Sequence, residues 1–591
     1  MRILCRSAVA TVLLLLGGGA ATAAAAEPIM PLSQLHKGMR CIAKSVVSGT
    51  DIATFDIDIL DVIAGDAASR TPYILFKASG AAIDATGIGP GFSGSPIDCP
   101  DAAGTLRVAG AISEGIGQYG STVALATPIE SILGEPVDPP AETRVASGLI
   151  RAARPLATPL GIGGLSVPVA AALKAAAKRA GAAVYAAPVA PPTTIFPVQQ
   201  LQGGSAMAVG LASGDVSAGA IGTVAYVDGD KVWSFGHPLD GAGRRSLFLQ
   251  DAYVYGVIGN PVGSAELSTY KYAAPGHDLG TLTNDAVSAV VGRLGALPPR
   301  FPLNVYGEDL DSRKVQLANI QIADETALGN PTGASALTQV GSLAIGEVVY
   351  DLLRGTPLRQ SGSMCMRITL KERPKPLRFC NTYSGGSLGT GAGAPLIADF
   401  GGASSQLDAY NFGPLHITGA EVYIKLRRSL RQAYLLSASA PHRVRRGSTI
   451  RVRVLAQRVN GPQLRRTIKV RIPSTTPLGR RRVQLDGTPG DGSGSLEDAL
   501  TGILDLGGSA GQDDGGTGPR NVTALAKGIE GIHRYDGVTA AITPLSGASS
   551  DNPDAPTPSG AEAAAQKPQQ AYRDPELRLS GTAHVNVTVV P

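Results

Sequence analysis

The sequence predicts a mainly β protein with some α-helix, divided into more than one domain. The chain has 591 residues, which exceeds the size of a single ordinary domain. Glycine and proline are abundant, at 75 and 42 residues, and short β-rich runs are separated by turn signals. From residue 435 onward, basic and aliphatic residues alternate as they do on the strands of an antiparallel sheet. These observations predict β domains followed by a C-terminal immunoglobulin-like β module.

The first 26 residues have the pattern of a signal peptide. Arg2 and Arg6 precede an apolar run at 8–16, and small residues follow, so cleavage is expected near Ala26 and Glu27. The run is too short for a membrane-spanning helix, and no later segment is expected to reach the roughly 18 apolar residues that a span needs. An uncleaved anchor is the alternative. We therefore expect an exported protein, either periplasmic or secreted to the cell surface, without a transmembrane segment after signal removal.

Four cysteines remain once the signal peptide and Cys5 are removed. An even number of cysteines in an exported chain favours two disulfides. Cys365 and Cys380 flank a predicted strand–turn–strand unit, which favours a cross-strand bridge. Cys41 and Cys99 then form the second pair, between an early strand and the segment after residue 93. Four free, buried thiols are the alternative.

The N-terminal half contains a series of predicted strands. Residues 38–63 are β-rich with a break at 48–50, and the run from Phe55 to Leu60 approximates the alternation of a half-buried strand. Further strands are predicted at 72–77, 106–112 and 123–126, followed by a short helix in T-P-I-E-S-I-L, residues 127–133. Residues 136–200 are rich in proline and alanine and predict a connector with one helix at 167–182.

A glycine- and serine-rich stretch, residues 86–96, reads T-G-I-G-P-G-F-S-G-S-P. Serine peptidases of the chymotrypsin type place their nucleophile in such a loop, because the backbone must turn sharply while N–H groups point at a developing oxyanion. Glycine reaches the required dihedral angles without a Cβ clash. On this spacing Ser93 is the candidate nucleophile, and the N–H groups of Gly91 and Ser93 are the candidate oxyanion donors. A surface turn without chemistry is the alternative.

A second segment, residues 222–239, reads G-T-V-A-Y-V-D-G-D-K-V-W-S-F-G-H-P-L. Asp228-Gly229 is a strong hairpin signal, so the segment predicts strand, turn and strand. His237 follows the second strand, between Gly236 and Pro238. A single histidine at a strand end has an ordinary structural role in most proteins, and its significance depends on the Ser93 loop.

The two segments, together with G-M-R-C-I-A-K at 38–44, resemble the SpoIVB-type serine peptidases. The resemblance covers residues 35–330 and implies a chymotrypsin-like double β-barrel that hydrolyses peptide bonds with Ser93 as nucleophile and His237 as general base. Members of that family usually have methionine where this chain has Phe92. They also place the histidine segment before the serine loop, whereas here Ser93 comes first, which implies a permuted assembly. His277, in a further family-like stretch, is interpreted as a loop residue.

The third member of a catalytic triad is not fixed by the sequence. A carboxylate normally orients the histidine and stabilises its charged form. The family's aspartate position falls near Ala78, so the candidates are Asp84, Asp215 and Asp240, with Asp84 preferred. A Ser–His dyad is the alternative.

The domain organisation predicted from these features has six parts. They are a signal peptide at 1–26, a nucleophile half at 27–135, the connector at 136–200, a histidine half at 201–330, a mixed α/β extension at 331–434 and a β-sandwich-like module at 435–591. Within the module, 486–519 is expected to be flexible, 545–575 to be a linker, and 577–590 to form the last strand.

The sequence is compatible with two functions. The first is an exported serine endopeptidase acting on protein or peptide substrates. The second is a catalytically inactive envelope or secreted binding protein on a peptidase-like shell. The sequence contains no H-E-x-x-H and no paired-cysteine motif, so neither a metal nor another cofactor is expected.

The charge distribution bears on possible partners. A formal net charge of +5 is too small to indicate nucleic-acid binding. Residues 442–483 nevertheless contain thirteen lysines and arginines and no acid. A solvated sheet face is the simplest interpretation, and a patch for an anionic cell-envelope surface is the alternative.

Overall fold

The computed structural model of the chain describes residues 26–63, 72–115, 122–137, 160–180, 184–187, 192–259, 269–328, 335–354, 359–385, 393–410, 412–488, 495–509, 519–545 and 567–591. All but the last residue of the predicted signal peptide lies outside these ranges.

The first structural unit is a closed barrel of antiparallel strands. The strands are β1 (Arg40–Ser48), β2 (Asp51–Ile63), β3 (Tyr73–Ser79), β4 (Pro96–Pro100), β5 (Leu106–Gly115) and β6 (Val123–Pro128), and the short helix α1 (Ile129–Leu133) follows. Pairing of β1 with β4 closes the barrel. Alternate residues of β2, including Phe55, Ile57 and Ile59, are buried in its interior. The strands and the short helix predicted for this region are confirmed.

The predicted connector contains regular structure that belongs to the next unit. It comprises β7 (Leu160–Gly163), α2 (Val167–Ala180) and β8 (Val184–Ala187). The predicted helix is confirmed. Val169, Leu173 and Ala176 form its buried face, while Lys178 and Arg179 lie in its last turn.

A second closed ring of strands follows. Its strands are β9 (Ala206–Gly214), β10 (Ser217–Asp228), β11 (Lys231–Ser234), β12 (Gly243–Ile258), β13 (Tyr270–Asp285) and β14 (Val290–Leu294). They pair in the order β9-β12-β13-β14-β11-β10, and a pairing of β9 with β10 closes the ring. The β10–β11 hairpin turns at the predicted Asp228-Gly229, and β7 and β8 continue the sheet beyond β10. The chain therefore has the predicted double β-barrel.

The interpretation of His277 as a loop residue is wrong, because His277 lies within β13. The dipeptide Pro275-Gly276 reads as a turn in the sequence. In the structure it falls where the register with β12 is irregular, between Gln250 and Ala252. A strand tolerates proline at such an irregularity, since no ladder hydrogen bond is required there.

The sheet extends from the second barrel into a mixed α/β unit. This unit contains β15 (Arg300–Asp309), β16 (Val315–Ala323), α3 (Ala336–Leu353), β17 (Gln360–Leu370), β18 (Arg373–Gly385), α4 (Gly393–Asp408) and β19 (Ile417–Arg427). The strand order β18-β17-β19-β15-β16-β9 makes one continuous sheet with the barrel. The strands and helices share the largest apolar core of the described chain.

Helix α3 is the one described helix that is long and apolar enough to cross a membrane, with a mean hydropathy of 1.2 over 18 residues. The expectation that no segment after the signal peptide reaches this length and character is therefore wrong. Most of the helix, 72%, is buried inside the fold, where it packs against β15, β16 and α4.

The C-terminal region is a two-sheet β module with an inserted helical segment. It contains β20 (Gln432–Ser439), β21 (Arg443–Arg445), β22 (Thr449–Arg458), β23 (Gln463–Arg471), β24 (Gly479–Gly487), α5 (Leu496–Ser509), α6 (Val522–Glu530), β25 (Gly537–Pro544), β26 (Gln569–Arg573), β27 (Arg578–Ser580) and β28 (Thr582–Val590). The sheets, β23-β22-β20-β27 and β21-β28-β24-β25-β26, enclose a common core, as predicted.

Three details of the predicted module differ from the structure. The segment expected to be flexible contains α5, whose Leu500 and Ile503 pack into the α/β core. The expected linker contains β26, while residues 546–566 lie outside the described ranges. The predicted last strand is divided at Gly581, which has a φ of +79°. The chain turns at this glycine, so β27 and β28 belong to different sheets.

Both predicted disulfides are present. Cys41 on β1 is bonded to Cys99 on β4, and Cys365 on β17 is bonded to its cross-strand neighbour Cys380 on β18. The first bridge lies directly beyond the glycine- and serine-rich loop. Both bridges are compatible with an exported protein.

Candidate active site

The loop at 86–96 lies between the two barrels and is hydrogen-bonded to both. The Gly94 N–H donates to the Ile112 carbonyl of the first barrel at 2.7 Å, and the Thr223 N–H of the second barrel donates to the Ser93 carbonyl at 2.8 Å. Gly94 has a φ of +93°, and a Cβ there would lie 1.9 Å from the Thr223 carbonyl oxygen. Only glycine fits this position, so the junction fixes Ser93 between the barrels.

Several groups around Ser93 have no partner among the described residues. The Ser93 hydroxyl makes no hydrogen bond with any described residue, although Ser93 is only 2% exposed. The neighbouring N–H groups of Phe92, Gly94 and Ser95 all donate to carbonyl oxygens. The N–H groups of Gly91 and Ser93 donate to no acceptor in the described part of the chain. These two N–H groups are the ones that the sequence predicted as oxyanion donors.

The segment that carries His237 has an unusual backbone. Phe235 and Gly236, directly before it, both have a φ of +68°, and Phe235 is a fully buried non-glycine residue. Such a conformation costs free energy and persists where the surroundings hold it in place. The Thr127 hydroxyl of the first barrel donates to the Gly236 carbonyl at 2.7 Å, which ties this segment across the junction.

The His237 imidazole is 3% exposed and has a defined pattern of contacts. Its Nδ1 lies 2.6 Å from the Pro238 carbonyl oxygen, which only accepts, so Nδ1 holds the proton and donates it. Nε2 is buried and has no hydrogen-bond partner among the described residues. Burial lowers the pKa of His237 to about 4, and the bond to Pro238 opposes this only in part. Above that pH the ring is neutral, with a lone pair on Nε2.

The structure brings the Ser93 and His237 segments together without joining the two side chains. A Cβ on Gly94 would lie 2.5 Å from the Phe235 nitrogen, so the two backbones are in contact. Because His237 Nε2 has no partner, the expected hydrogen bond from the Ser93 hydroxyl is not formed. Catalytic hydrogen bonds are often long or misaligned before substrate binds.

None of the three candidate aspartates orients His237. Asp84 is exposed, and its carboxylate accepts the Gly80 N–H at 2.8 Å, which closes its own turn. Asp215 accepts the N–H of Asn319, and Asp240 is paired with Arg245. The assignment of Asp84 as the third triad member is therefore corrected: the Pro238 carbonyl occupies the place of a carboxylate at Nδ1.

Asp285, which the sequence analysis missed, holds the loop that follows His237. Its fully buried carboxylate accepts backbone N–H groups of Leu239, Asp240 and Gly241 at 2.7 to 2.9 Å. Burial, together with the hydrogen bond and charge of the neighbouring Asp240, raises the pKa of Asp285 to about 8. Asp285 is thus a positioning residue, and no sequence motif marks it.

Lys271 on β13 is the second missed residue and lies beneath the Ser93 loop. It is 1% exposed, and its ammonium group donates to the hydroxyls of Ser45 at 2.7 Å and Thr223 at 2.9 Å. It also lies 4.7 Å from the centre of the Phe92 ring. None of these contacts is with a carboxylate. Burial lowers the pKa of Lys271 to about 7.

The hydroxyl groups around Lys271 connect it to the loop at two points. The Ser45 hydroxyl shares a hydrogen bond of 2.7 Å with the Ser95 hydroxyl. The Thr223 hydroxyl donates to the Gly91 carbonyl at 2.9 Å. Ser95 and Gly91 lie on either side of Ser93, so this buried network holds the loop from below on both sides of the candidate nucleophile.

No cluster of three or more histidine, cysteine, aspartate or glutamate side chains suited to a metal ion is found in the described part of the chain. The Ser93 loop and the adjoining His237 segment instead carry a hydroxyl, an imidazole and backbone N–H groups. Those are the groups that acyl transfer requires.

Comparison of the chain with protein-family models, with curated proteins and with solved structures finds no match. The resemblance to SpoIVB-type peptidases therefore rests on the residues quoted above.

Proposed function

We propose that this protein is an exported serine endopeptidase that hydrolyses peptide bonds through an acyl-enzyme on Ser93. The observation that carries the proposal is the composition of the barrel junction. There, two unpartnered N–H groups flank a serine hydroxyl that has no partner in the described chain, and a neutral imidazole lies on the adjoining segment. The resemblance to SpoIVB-type peptidases supports the same assignment, and the disulfides support a periplasmic or secreted location.

In the proposed reaction, His237 Nε2 takes the proton from the Ser93 hydroxyl as the oxygen attacks a peptide carbonyl carbon. The Gly91 and Ser93 N–H groups donate to the oxyanion that forms. The imidazolium then returns its proton to the leaving amine, and water hydrolyses the acyl-enzyme. The Pro238 carbonyl keeps the imidazole in the required tautomer. A neutral carbonyl stabilises an imidazolium less than a carboxylate does, so we expect slower turnover than in a complete triad.

The alternative function is an inactive binding protein on a peptidase-like shell. It is favoured by the missing Ser93–His237 hydrogen bond and by the burial of both side chains in the structure. In that case the junction would bind a peptide without cleaving it.

Hydrolysis of an unfolded, fluorescently labelled protein by the mature chain tests the proposal. Wild type is expected to cleave the substrate, and Ser93→Ala and His237→Gln are each expected to reduce cleavage by about a thousandfold or more. Ser439→Ala, in the C-terminal module, is the matched control and is expected to retain full activity. Activity that survives Ser93→Ala would exclude this mechanism. Substrate binding without cleavage by wild type would establish the alternative.

A further inference from the structure

A cavity of about 220 Å³ lies between the face of strands β17 to β19 and the C-terminal module. It is outside both barrels and contains no residue of the Ser93 site. Four of its lining residues are cationic, namely Lys425, Arg427, Arg431 and Arg578, and one, Glu576, is acidic. A cavity with this excess of positive charge attracts an anion.

The floor of the cavity is a regular pattern of hydroxyl and cationic side chains. On β17, Ser363 lies opposite Thr382 of β18 on one side and Lys425 of β19 on the other. Two residues earlier, Ser361 lies in the same way between a serine of β18 and Arg427 of β19. Directly opposite residues point to the same face of a sheet. The first row therefore presents two hydroxyls and one cation to the cavity. The second presents Arg427 and Ser361, whose hydroxyl donates to the Ser429 carbonyl at 2.7 Å.

Three of the four cations of the cavity are not neutralised by any residue that the structure describes. Lys425, Arg427 and Arg431 make no ion pair and no side-chain hydrogen bond with any residue that the structure describes. Arg578, 2% exposed, reaches the floor from the module and donates to the Ser384 hydroxyl at 3.3 Å. The sheet and the module thus bring like charges to the same space, and an anion between them would offset their repulsion.

Thr382 gives a second, independent indication of a ligand. The residue is 7% exposed and lines the cavity, yet its hydroxyl is buried and has no hydrogen-bond partner among the described residues. An unsatisfied buried hydroxyl is costly, and native structures contain few of them. An anion oxygen in the cavity would accept a hydrogen bond from this hydroxyl.

We propose that this cavity is a binding site for a phosphate group. Donors converge from two sides, with Lys425 and Thr382 on the sheet and Arg431 and Arg578 on the module, as a tetrahedral oxyanion requires. The volume is below that of sites for drug-sized molecules, so it suits a small anion or a headgroup. The phosphate comes either from free inorganic phosphate or from a lipid headgroup. The proposal is independent of any catalytic role of Ser93.

Calorimetric titration of the mature chain with inorganic phosphate, at neutral pH and fixed ionic strength, tests the site. We expect saturable binding that Lys425→Gln and Thr382→Val each weaken about tenfold or more, as expected for a lost hydrogen bond to a charged group. Arg451→Gln, on an exposed position of β22, removes the same charge as Lys425→Gln and is the matched control, with unchanged affinity. Thr382→Val should also leave the thermal midpoint intact, because the hydroxyl has no protein partner to lose.

Three outcomes would overturn the proposal: no saturable binding, equal weakening by Arg451→Gln and Lys425→Gln, or unchanged affinity of Thr382→Val. Vesicles of phosphatidylcholine with and without phosphatidylglycerol then distinguish the two sources. Binding to the anionic vesicles that inorganic phosphate displaces, and that Lys425→Gln abolishes, assigns the site to a headgroup. Phosphate binding without vesicle binding assigns it to the free ion.

Discussion

Replacing Lys271 by methionine should make the stability of the second barrel less dependent on pH. Methionine has a similar length and no charge, so it suits the apolar surroundings of the buried stem. The hydrogen bond between Ser45 and Ser95 and the one from Thr223 to Gly91 do not involve Lys271 and remain possible. The substitution therefore removes the buried amine while leaving the other links to the loop.

The size of the effect follows from the pKa of Lys271. Burial lowers that pKa from 10.5 to about 7 in the folded protein. Between these two values the unfolded chain binds a proton that the folded chain does not, so the free energy of unfolding rises with pH by up to about 1.4 kcal/mol per unit. Over the whole interval the gain is roughly 5 kcal/mol. The lost hydrogen bonds to Ser45 and Thr223 cost about 1 kcal/mol each. Lys271→Met should thus be a few kcal/mol more stable than wild type near pH 7, and this advantage should disappear toward pH 10.

Urea unfolding followed by tryptophan fluorescence measures this effect locally. Trp233 is the single tryptophan of the chain and is buried on β11, in the same barrel as Lys271. The difference in unfolding free energy between wild type and Lys271→Met is measured at several pH values from 7 to 10. Lys231→Met, on β11, is the matched control for loss of a lysine and should show a constant difference. A constant difference for Lys271→Met as well would refute the reasoning.

Three further predictions follow from the site and the bridges. Asp285→Asn should destabilise the second barrel by about 1–3 kcal/mol in the same fluorescence assay, because the amide leaves a buried N–H without an acceptor; an unchanged midpoint would contradict its positioning role. Burial lowers the pKa of His237 to about 4, and the neutral imidazole is the form that acts as base. The pH profile of kcat/KM should therefore rise with a midpoint near pH 4. A midpoint near 6.5, the ordinary pKa of histidine, would contradict the buried environment. The Cys41–Cys99 disulfide joins residues 58 positions apart, so its reduction should lower the unfolding free energy of the first barrel by about 4 kcal/mol on the chain-entropy model. Unfolding followed by circular dichroism, with the oxidised protein as control, measures this loss. Equal stability of the reduced and oxidised proteins would contradict the prediction.

The parts of the fold that the sequence predicted are those with local signals. The Asp228-Gly229 turn defines its hairpin, and the helix beginning at residue 167 follows from its alanine content. The two disulfides followed from an even cysteine count and one predicted hairpin. The segment containing α5 was misjudged because glycine and aspartate dominate its composition, whereas Leu500 and Ile503 decide its packing. Such contacts are tertiary, and composition does not report them.

In the candidate site, too, the residues with a local sequence signal were predicted and those placed by tertiary contacts were missed. Ser93, its glycines and the flanking residues of His237 form short motifs that can be recognised in isolation. Lys271 and Ser45 are separated by 226 positions, and their contact exists only because the two barrels meet. A carboxylate that holds a loop through backbone N–H groups, as Asp285 does, leaves no pattern in neighbouring residues. The Pro238 carbonyl took the place at Nδ1 where sequence reasoning sought an aspartate.

Reaction of the mature protein with a fluorophosphonate, followed by peptide mapping, tests the central claim most directly. The reagent forms a covalent bond to a serine only where a base and an oxyanion site activate the hydroxyl. The account predicts a single adduct on Ser93, lost in Ser93→Ala and strongly reduced in His237→Gln, with the fold of both variants intact by circular dichroism. An adduct on Ser95, or labelling that persists in Ser93→Ala, would contradict the assignment, and so would the absence of any adduct on the folded wild-type protein.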